Sequence, residues 1–260
     1  MPGDGIYTMN ADGSGRALIR RGLVSQPSWS ADGRRIAFKD RAGIAVMNAA
    51  GGQAQTITRP PGTMFDEAPA WSPDGTRLAF TRHLGRLSDL YVVDVRTRAV
   101  RQLTRTPQVI ESDPAWSPNA KWILFGQTPR SMPHPPTVLR RTDPTGRSNV
   151  PITNASAFAA TWSPDGRKIA FASDLHRASD IWVMNASGLG TKATGLENLT
   201  SDSRASNAHP AWSPDGHRIV FMSTRDSQTD DYGIWIMGSD GSSPERLARD
   251  GGFPDWQPLR

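Results

Sequence analysis

Residues able to carry acid–base or metal chemistry are few in this chain and stand far apart. The five histidines lie at 83, 134, 176, 209 and 217. Two acidic clusters, Asp66 with Glu67 and Glu111 with Asp113, each precede a tryptophan by a few residues. A metal site or a general acid–base site needs several such groups converging within bonding reach. His209 with Asp113 or Glu67 is the combination best placed for it, because His83, His134, His176 and His209 come from successive loops, whereas His217 falls in a turn on the opposite face. Other chemistry has no carrier. The chain contains no Gly-x-Ser-x-Gly elbow, phosphate loop, His-Glu-x-x-His or dinucleotide-binding glycine pattern. It has no cysteine, which removes thiol catalysis, cysteine–zinc sites and disulfides. No catalytic residue, metal ligand or cofactor is therefore assigned. The features that binding requires, namely shape, aromatics and complementary charge, are more plainly present.

The elements that would position these residues announce themselves by repetition. Pro69-Ala-Trp71-Ser-Pro-Asp-Gly75 returns at Pro114–Asn119, Trp162–Gly166 and Pro210–Gly216, with a looser copy at Pro27–Gly33 and a stub at Pro254–Pro258. The six tryptophans, 29, 71, 116, 162, 212 and 256, are spaced by 42, 45, 46, 50 and 44 residues. A period in the forties with several short strands per unit predicts the blades of a β-propeller. Each unit carries four strand-like pieces. The first holds the Trp and ends in Ser-Pro-Asp-Gly, whose residues suit a tight turn. The second is apolar, as in Ile36-Ala-Phe38, Leu78-Ala-Phe80 and Ile123-Leu-Phe125. The third is exemplified by Ile181-Trp-Val-Met-Asn185, and the fourth ends in Leu-Thr or Ile-Thr, as at Leu103-Thr104 and Ile152-Thr153.

The reading is thus all-β: one propeller domain over 1–260 with six blades. Five are whole, at about 27–58, 69–104, 114–153, 160–200 and 210–248. The sixth joins 254–260 to 5–20, closing the ring with both ends of the chain and hiding its edges. That composite blade has no copy of the Ile-Ala-Phe piece, so it is expected to hold three strands, or else the natural protein extends upstream of Met1. Composition agrees with the fold class: 24 Gly and 21 Pro favour turns, and only 4 of the 25 acidic residues are glutamate. The net charge of +5 is carried by scattered arginines without a basic, aromatic-interleaved stretch, so no nucleic-acid partner is expected. No run of 18 apolar residues exists to span a membrane, no signal peptide is visible, and a monomer is expected.

The Trp-Ser-Pro-Asp-Gly, Ile-Ala-Phe and Asp-Ile-Trp-Val-Met-Asn motifs resemble the repeat of the TolB-type β-propellers over residues 5 to 258. The resemblance implies a six-bladed propeller exported from the cytoplasm, periplasmic or extracellular, acting through protein–protein contacts at the bacterial cell envelope. The resemblance covers the propeller only, so partner binding through the N-terminal α/β domain found in that family is not implied. Similar repeats occur in oligogalacturonate-lyase-like enzymes and in the propellers of prolyl-oligopeptidase-like peptidases, which supply the alternative reading of a carbohydrate-active enzyme or a peptidase accessory domain.

Two loop sets face the mouth of the predicted channel. Before the Trp strands stand Gln26, Asp66, Glu67, Glu111, Asp113, Phe158, His209 and Phe253; after the second strands stand Arg82 and Arg225. Their types differ from unit to unit within one repeated frame, the pattern of a shared scaffold with an individual surface. They are the candidate binding residues for a protein or peptide partner. The tryptophans are expected to pack between blades, and the basic residues two positions after each Asp-Gly (Arg35, Arg77, Lys168 and Arg218) to form a solvated ring on the opposite face.

Overall fold

Ser-Pro-Asp-Gly folds alike wherever it occurs. In the computed structural model, which describes residues 5–130, 135–175, 178–187, 194–201, 204–227 and 231–258, the serine hydroxyl of each copy donates to the aspartate two residues on. Ser30 reaches Asp32 at 2.6 Å and Ser163 reaches Asp165 at 2.6 Å. The same oxygen accepts the N–H of the residue that opens the next strand, as for Arg35 at 3.0 Å and Lys168 at 2.9 Å. The closing glycines, Gly33, Gly75, Gly166 and Gly216, all have φ between 63° and 73°, where a β-carbon is disfavoured. Ala120 replaces glycine in the third copy and still adopts 58°.

These turns generate 22 strands among the described residues. β1 (Gly5–Thr8) and β2 (Ala17–Arg21) pair with each other. A first four-stranded set follows in the order β3 (Ser25–Trp29), β4 (Arg35–Asp40), β5 (Gly43–Asn48), β6 (Gln55–Thr56). The second comprises β7 (Phe65–Trp71), β8 (Arg77–Leu84), β9 (Leu87–Asp94) and β10 (Val100–Gln102), and the third β11 (Val109–Trp116), β12 (Ile123–Pro129), β13 (Val138–Thr142) and β14 (Asn149–Pro151). One parallel pair, Ile110 with Ser88, links the second set to the third. The fourth is β15 (Phe158–Trp162), β16 (Lys168–Ser173), β17 (Asp180–Asn185), β18 (Glu197–Asn198), and the fifth β19 (Asn207–Trp212), β20 (Arg218–Ser223), β21 (Gly233–Gly238), β22 (Glu245–Ala248). Within each set neighbouring strands are antiparallel. The chain is all-β, and each expected strand piece of the five full units is found.

The leucine–threonine ending of the fourth piece has a structural cause. The last strand is short, and the threonine just beyond it accepts an N–H of the third strand: Ile44 to Thr58 at 2.9 Å, Leu90 to Thr104 at 2.9 Å, Leu139 to Thr153 at 3.0 Å and Ile181 to Thr200 at 3.0 Å. A buried amide is thereby satisfied where the ladder has ended.

The core lies between successive sets. Trp71, Leu78, Phe80 and Val93 of the second pack on Ala37, Ile44 and Val46 of the first, and the same relation recurs between the second and third and between the fourth and fifth sets. Trp71 also donates its indole N–H to the Ser28 carbonyl of the preceding set, 3.1 Å. The basic residues after the Asp-Gly turns are not merely solvated. Arg35 lies over Trp71 at 4.4 Å, Arg77 over Trp116 at 4.9 Å and Arg218 over Trp256 at 5.4 Å, so each covers the tryptophan of the next unit.

The two ends of the chain meet differently from the full sets. Residues 251–258 form no strand, so β1 and β2 are the only strands there among the described residues, where three were expected. Among the described residues the tail pairs with no strand. It is held instead by Trp29 N–H to Asp255 (2.7 Å), by Gln257 Nε2 to the Gly33 carbonyl (3.0 Å) and by Trp256 Nε1 to the Ala211 carbonyl (3.1 Å).

Candidate functional site

A bulge, repeated from set to set, builds the site. In each first strand the pairing register slips between the residues flanking an x-Pro or Ala-Ala step: Ser25/Ser28, Glu67/Ala70, Ser112/Ala115, Phe158/Thr161 and Ala208/Ala211. In four of the five sets the step holds a proline, which has no N–H for the ladder, and the fourth makes the same slip at Ala159-Ala160. The residue three before each tryptophan then takes a left-handed backbone: Gln26 (53°), Ala68 (50°), Asp113 (52°), Ala159 (49°) and His209 (49°), and in the tail Phe253 (52°). Such conformations cost about 1–3 kcal/mol each in a non-glycine residue. They re-aim the side chain, and here six side chains of five different types share one backbone geometry. Neighbours in this series touch: Gln26 Oε1 accepts the Ala68 N–H at 3.0 Å, and the His209 and Phe253 rings meet edge-on at 4.5 Å.

Beside this series runs a charged network. Glu67 accepts from Lys39 Nζ at 2.8 Å and is hydrogen-bonded to His83 Nε2 at 2.7 Å. Phe65 stacks on His83 at 4.2 Å and under Lys39 at 4.9 Å. The His83 hydrogen bond, helped by Lys39 and opposed by burial, lowers the Glu67 pKa to about 2. Glu67 is therefore a fixed anion. Asp113 and His209 behave differently. Burial raises the Asp113 pKa against the pull of His209, and burial lowers that of His209 against the pull of Asp113. The two act on each other electrostatically, and desolvation drives both toward their uncharged forms. These strands thus bring together a salt bridge, an acid and an imidazole that influence each other electrostatically, and an aromatic edge.

The remaining predicted residues stand elsewhere or are already engaged. Asp66 and Arg82 face each other across β7 and β8 in a buried bidentate pair, 2.7 and 2.8 Å. Glu111 is wholly buried, where it bonds Thr104, accepts from Leu90 N–H at 3.3 Å and from Gln127 at 3.1 Å, and has its pKa raised by burial. These three hold the wall together. Phe158 packs on the core between the fourth and fifth sets, and the Arg225 guanidinium lies 5.4 Å over Trp235. His134 and His176 lie outside the described residues. Among the described residues no three His, Asp or Glu side chains group as a metal site. Sequence reasoning missed Lys39, Ala68 and Ala159. The signal was present as the position three before each Trp, hidden because two of its members are alanines.

The same architecture is found in known proteins. TolB from Acinetobacter baumannii superposes with a TM-score of 0.78 at 21% identity, over 97% of this chain and 62% of that one. A TolB candidate from Agrobacterium tumefaciens gives the same score and identity over 96% and 92%. In sequence, the Tol-Pal system protein TolB of Anaeromyxobacter sp. (strain K) is 30% identical over 206 residues, 75% of this chain and 43% of that protein. The chain thus spans less than half the length of the curated relatives it matches. Its residues 4–135 and 133–258 match the family described as TolB beta propeller domain, and the chain belongs to that family.

Proposed function

We propose that this chain is a non-catalytic, protein-binding scaffold of the bacterial cell envelope, a six-bladed propeller whose sixth blade joins β1 and β2 to the tail. A peptide or flexible protein segment binds at its channel mouth. One observation carries the reading: six left-handed positions, Gln26, Ala68, Asp113, Ala159, His209 and Phe253, present unlike side chains from one repeated geometry. A purely structural ring would have no reason to vary in this way. Family membership supports the envelope assignment and a periplasmic or extracellular location. Under this reading Glu67, Asp113, His209 and Phe253 contact the partner, while Asp66, Arg82 and Glu111 keep the wall rigid.

The test is capture from envelope and cytosolic extracts of the source organism. The wild-type chain should retain an envelope protein that the Glu67→Ala, Asp113→Ala double variant loses. Retention by both would sink the assignment of the mouth.

A further inference from the structure

Two of the six left-handed positions carry only a methyl group, and Asp113 stands between them. In chain order the series runs Gln26, Ala68, Asp113, Ala159, His209, Phe253. Where a member has reach it meets its successor: Gln26 bonds the Ala68 amide, and the His209 ring lies edge-on to Phe253. Ala68 and Ala159 have no such reach, so no side chain of the series fills either flank of Asp113. Asp113 nonetheless acts electrostatically across both flanks, on Glu67 and His83 of the second set and on His209 of the fifth.

These groups differ in whether they are already matched. Glu67 is matched, with one carboxylate oxygen taken by Lys39 and the other by His83. Arg82, a further cation on the same strands, is spent on Asp66. Asp113 and His209 are half-buried and lack such partners. Among the described residues Asp113 bonds its neighbour Ser112, and the His209 imidazole makes no hydrogen bond. Burial holds both toward their uncharged forms, because an ionised Asp113 is left without a counter-ion. An anionic guest would meet Glu67 and Asp113 together, and a neutral one would leave that charge unmatched. A cation supplies what is missing. A guanidinium does so best, since its planar fork donates to a carboxylate and to a ring nitrogen at once and its face lies well against an aromatic ring.

We propose that the flank of Asp113 beside Ala159 is a guanidinium pocket, so that the segment bound at the mouth presents an arginine side chain there. Its charge pairs with Asp113, and its plane lies against the edge formed by His209 and Phe253. Ala159 is what leaves room for it, which gives the small member of the series a role in selecting the partner. This inference rests on the mouth as the binding surface, and that reading survives if the arginine is wrong.

The probe is N-acetyl-arginine N-methylamide, titrated into the whole chain at neutral pH while the His209 ring resonances are followed by NMR. Saturable shifts at His209 are expected. The citrulline counterpart, of the same shape but uncharged, should bind about tenfold more weakly or worse, the scale of one hydrogen bond to a charged group. Asp113→Asn, which keeps a residue tolerant of the left-handed backbone, should weaken the arginine probe to the same extent. Melting curves establish that this variant folds; the comparison of arginine with citrulline on the wild-type chain needs no variant. Equal binding of the two probes would overturn the proposal, as would no response of His209 up to the solubility limit of the arginine probe. A response to calcium or manganese chloride that arginine does not share would overturn it too, by making this a metal site. Capture of an envelope protein that still depends on the mouth, with no response to arginine, would remove the guanidinium pocket alone. A response to arginine without any such capture would uphold the pocket and remove the protein-binding reading.

Discussion

Asp255 sits at depth in the molecule yet faces an open cleft between residues 5–10 and the tail, so it is solvent-accessible while surrounded by protein on most sides. Burial pushes its pKa up to about 6, against the pull of the Trp29 amide it accepts. Because the folded value lies above the ordinary 3.8, ionisation opposes folding. That penalty is complete above pH 6 and fades as pH falls toward 3.8. Asp255→Asn keeps an oxygen for the Trp29 amide and removes the charge. It should raise the melting temperature at about pH 7.5 and leave it nearly unchanged at about pH 4; equal melting curves at both would contradict the burial argument. The threonine that closes the fourth piece of the first four sets makes a second residue-scale case. Thr58→Val leaves the Ile44 amide buried without its acceptor and should destabilise by about 1–3 kcal/mol in urea titration, against near zero if the bond is incidental. Neither feature could be read from the sequence as a role. Leu-Thr and Ile-Thr endings were visible, but their purpose depends on which amide they meet. The Asp66–Arg82 pair was equally hidden, because it depends on a cross-strand register beyond the bulge at Glu67/Ala70.

At the scale of the element, turn chemistry made the strands legible. Ser-Pro-Asp-Gly places a proline, an acceptor and a left-handed glycine in a fixed order, and every copy fixes the hairpin joining first and second strands. The bulge was not legible, although the proline two residues before most of the tryptophans marks it. The fourth set forms it at Ala159-Ala160 without proline, and its effect, a left-handed residue, appears only once pairing is known. The tryptophans were correctly expected between blades. Trp116 is 7% exposed, packs among Leu90, Val92 and Leu103, and is covered by Arg77. Trp116→Ala should therefore cost about 3–5 kcal/mol by chemical denaturation, a range set by removing a large aromatic from a core. A loss below 1 kcal/mol would place this side chain outside the framework. The arginine cover was missed because cation and ring are about forty residues apart and meet only across two sets.

For the whole molecule, the first strands carry the function we propose, and the outer strands carry the scaffold. The period of the tryptophans was enough to predict an all-β propeller fold. It could not say which mouth residues are exposed to a partner, because that follows from pairing: Glu67 with Lys39 and His83, and Glu111 with Thr104. The account rests on the mouth, not the outer edge, being the surface that meets a partner. The direct test is site-specific photo-crosslinking in envelope extract, with the photoreactive residue placed at Ala68 in the left-handed series or at Val100 on an outer strand, where the side chain is 41% exposed. The account predicts an adduct of defined mass from position 68 and none from position 100. An adduct from position 100 alone would contradict it.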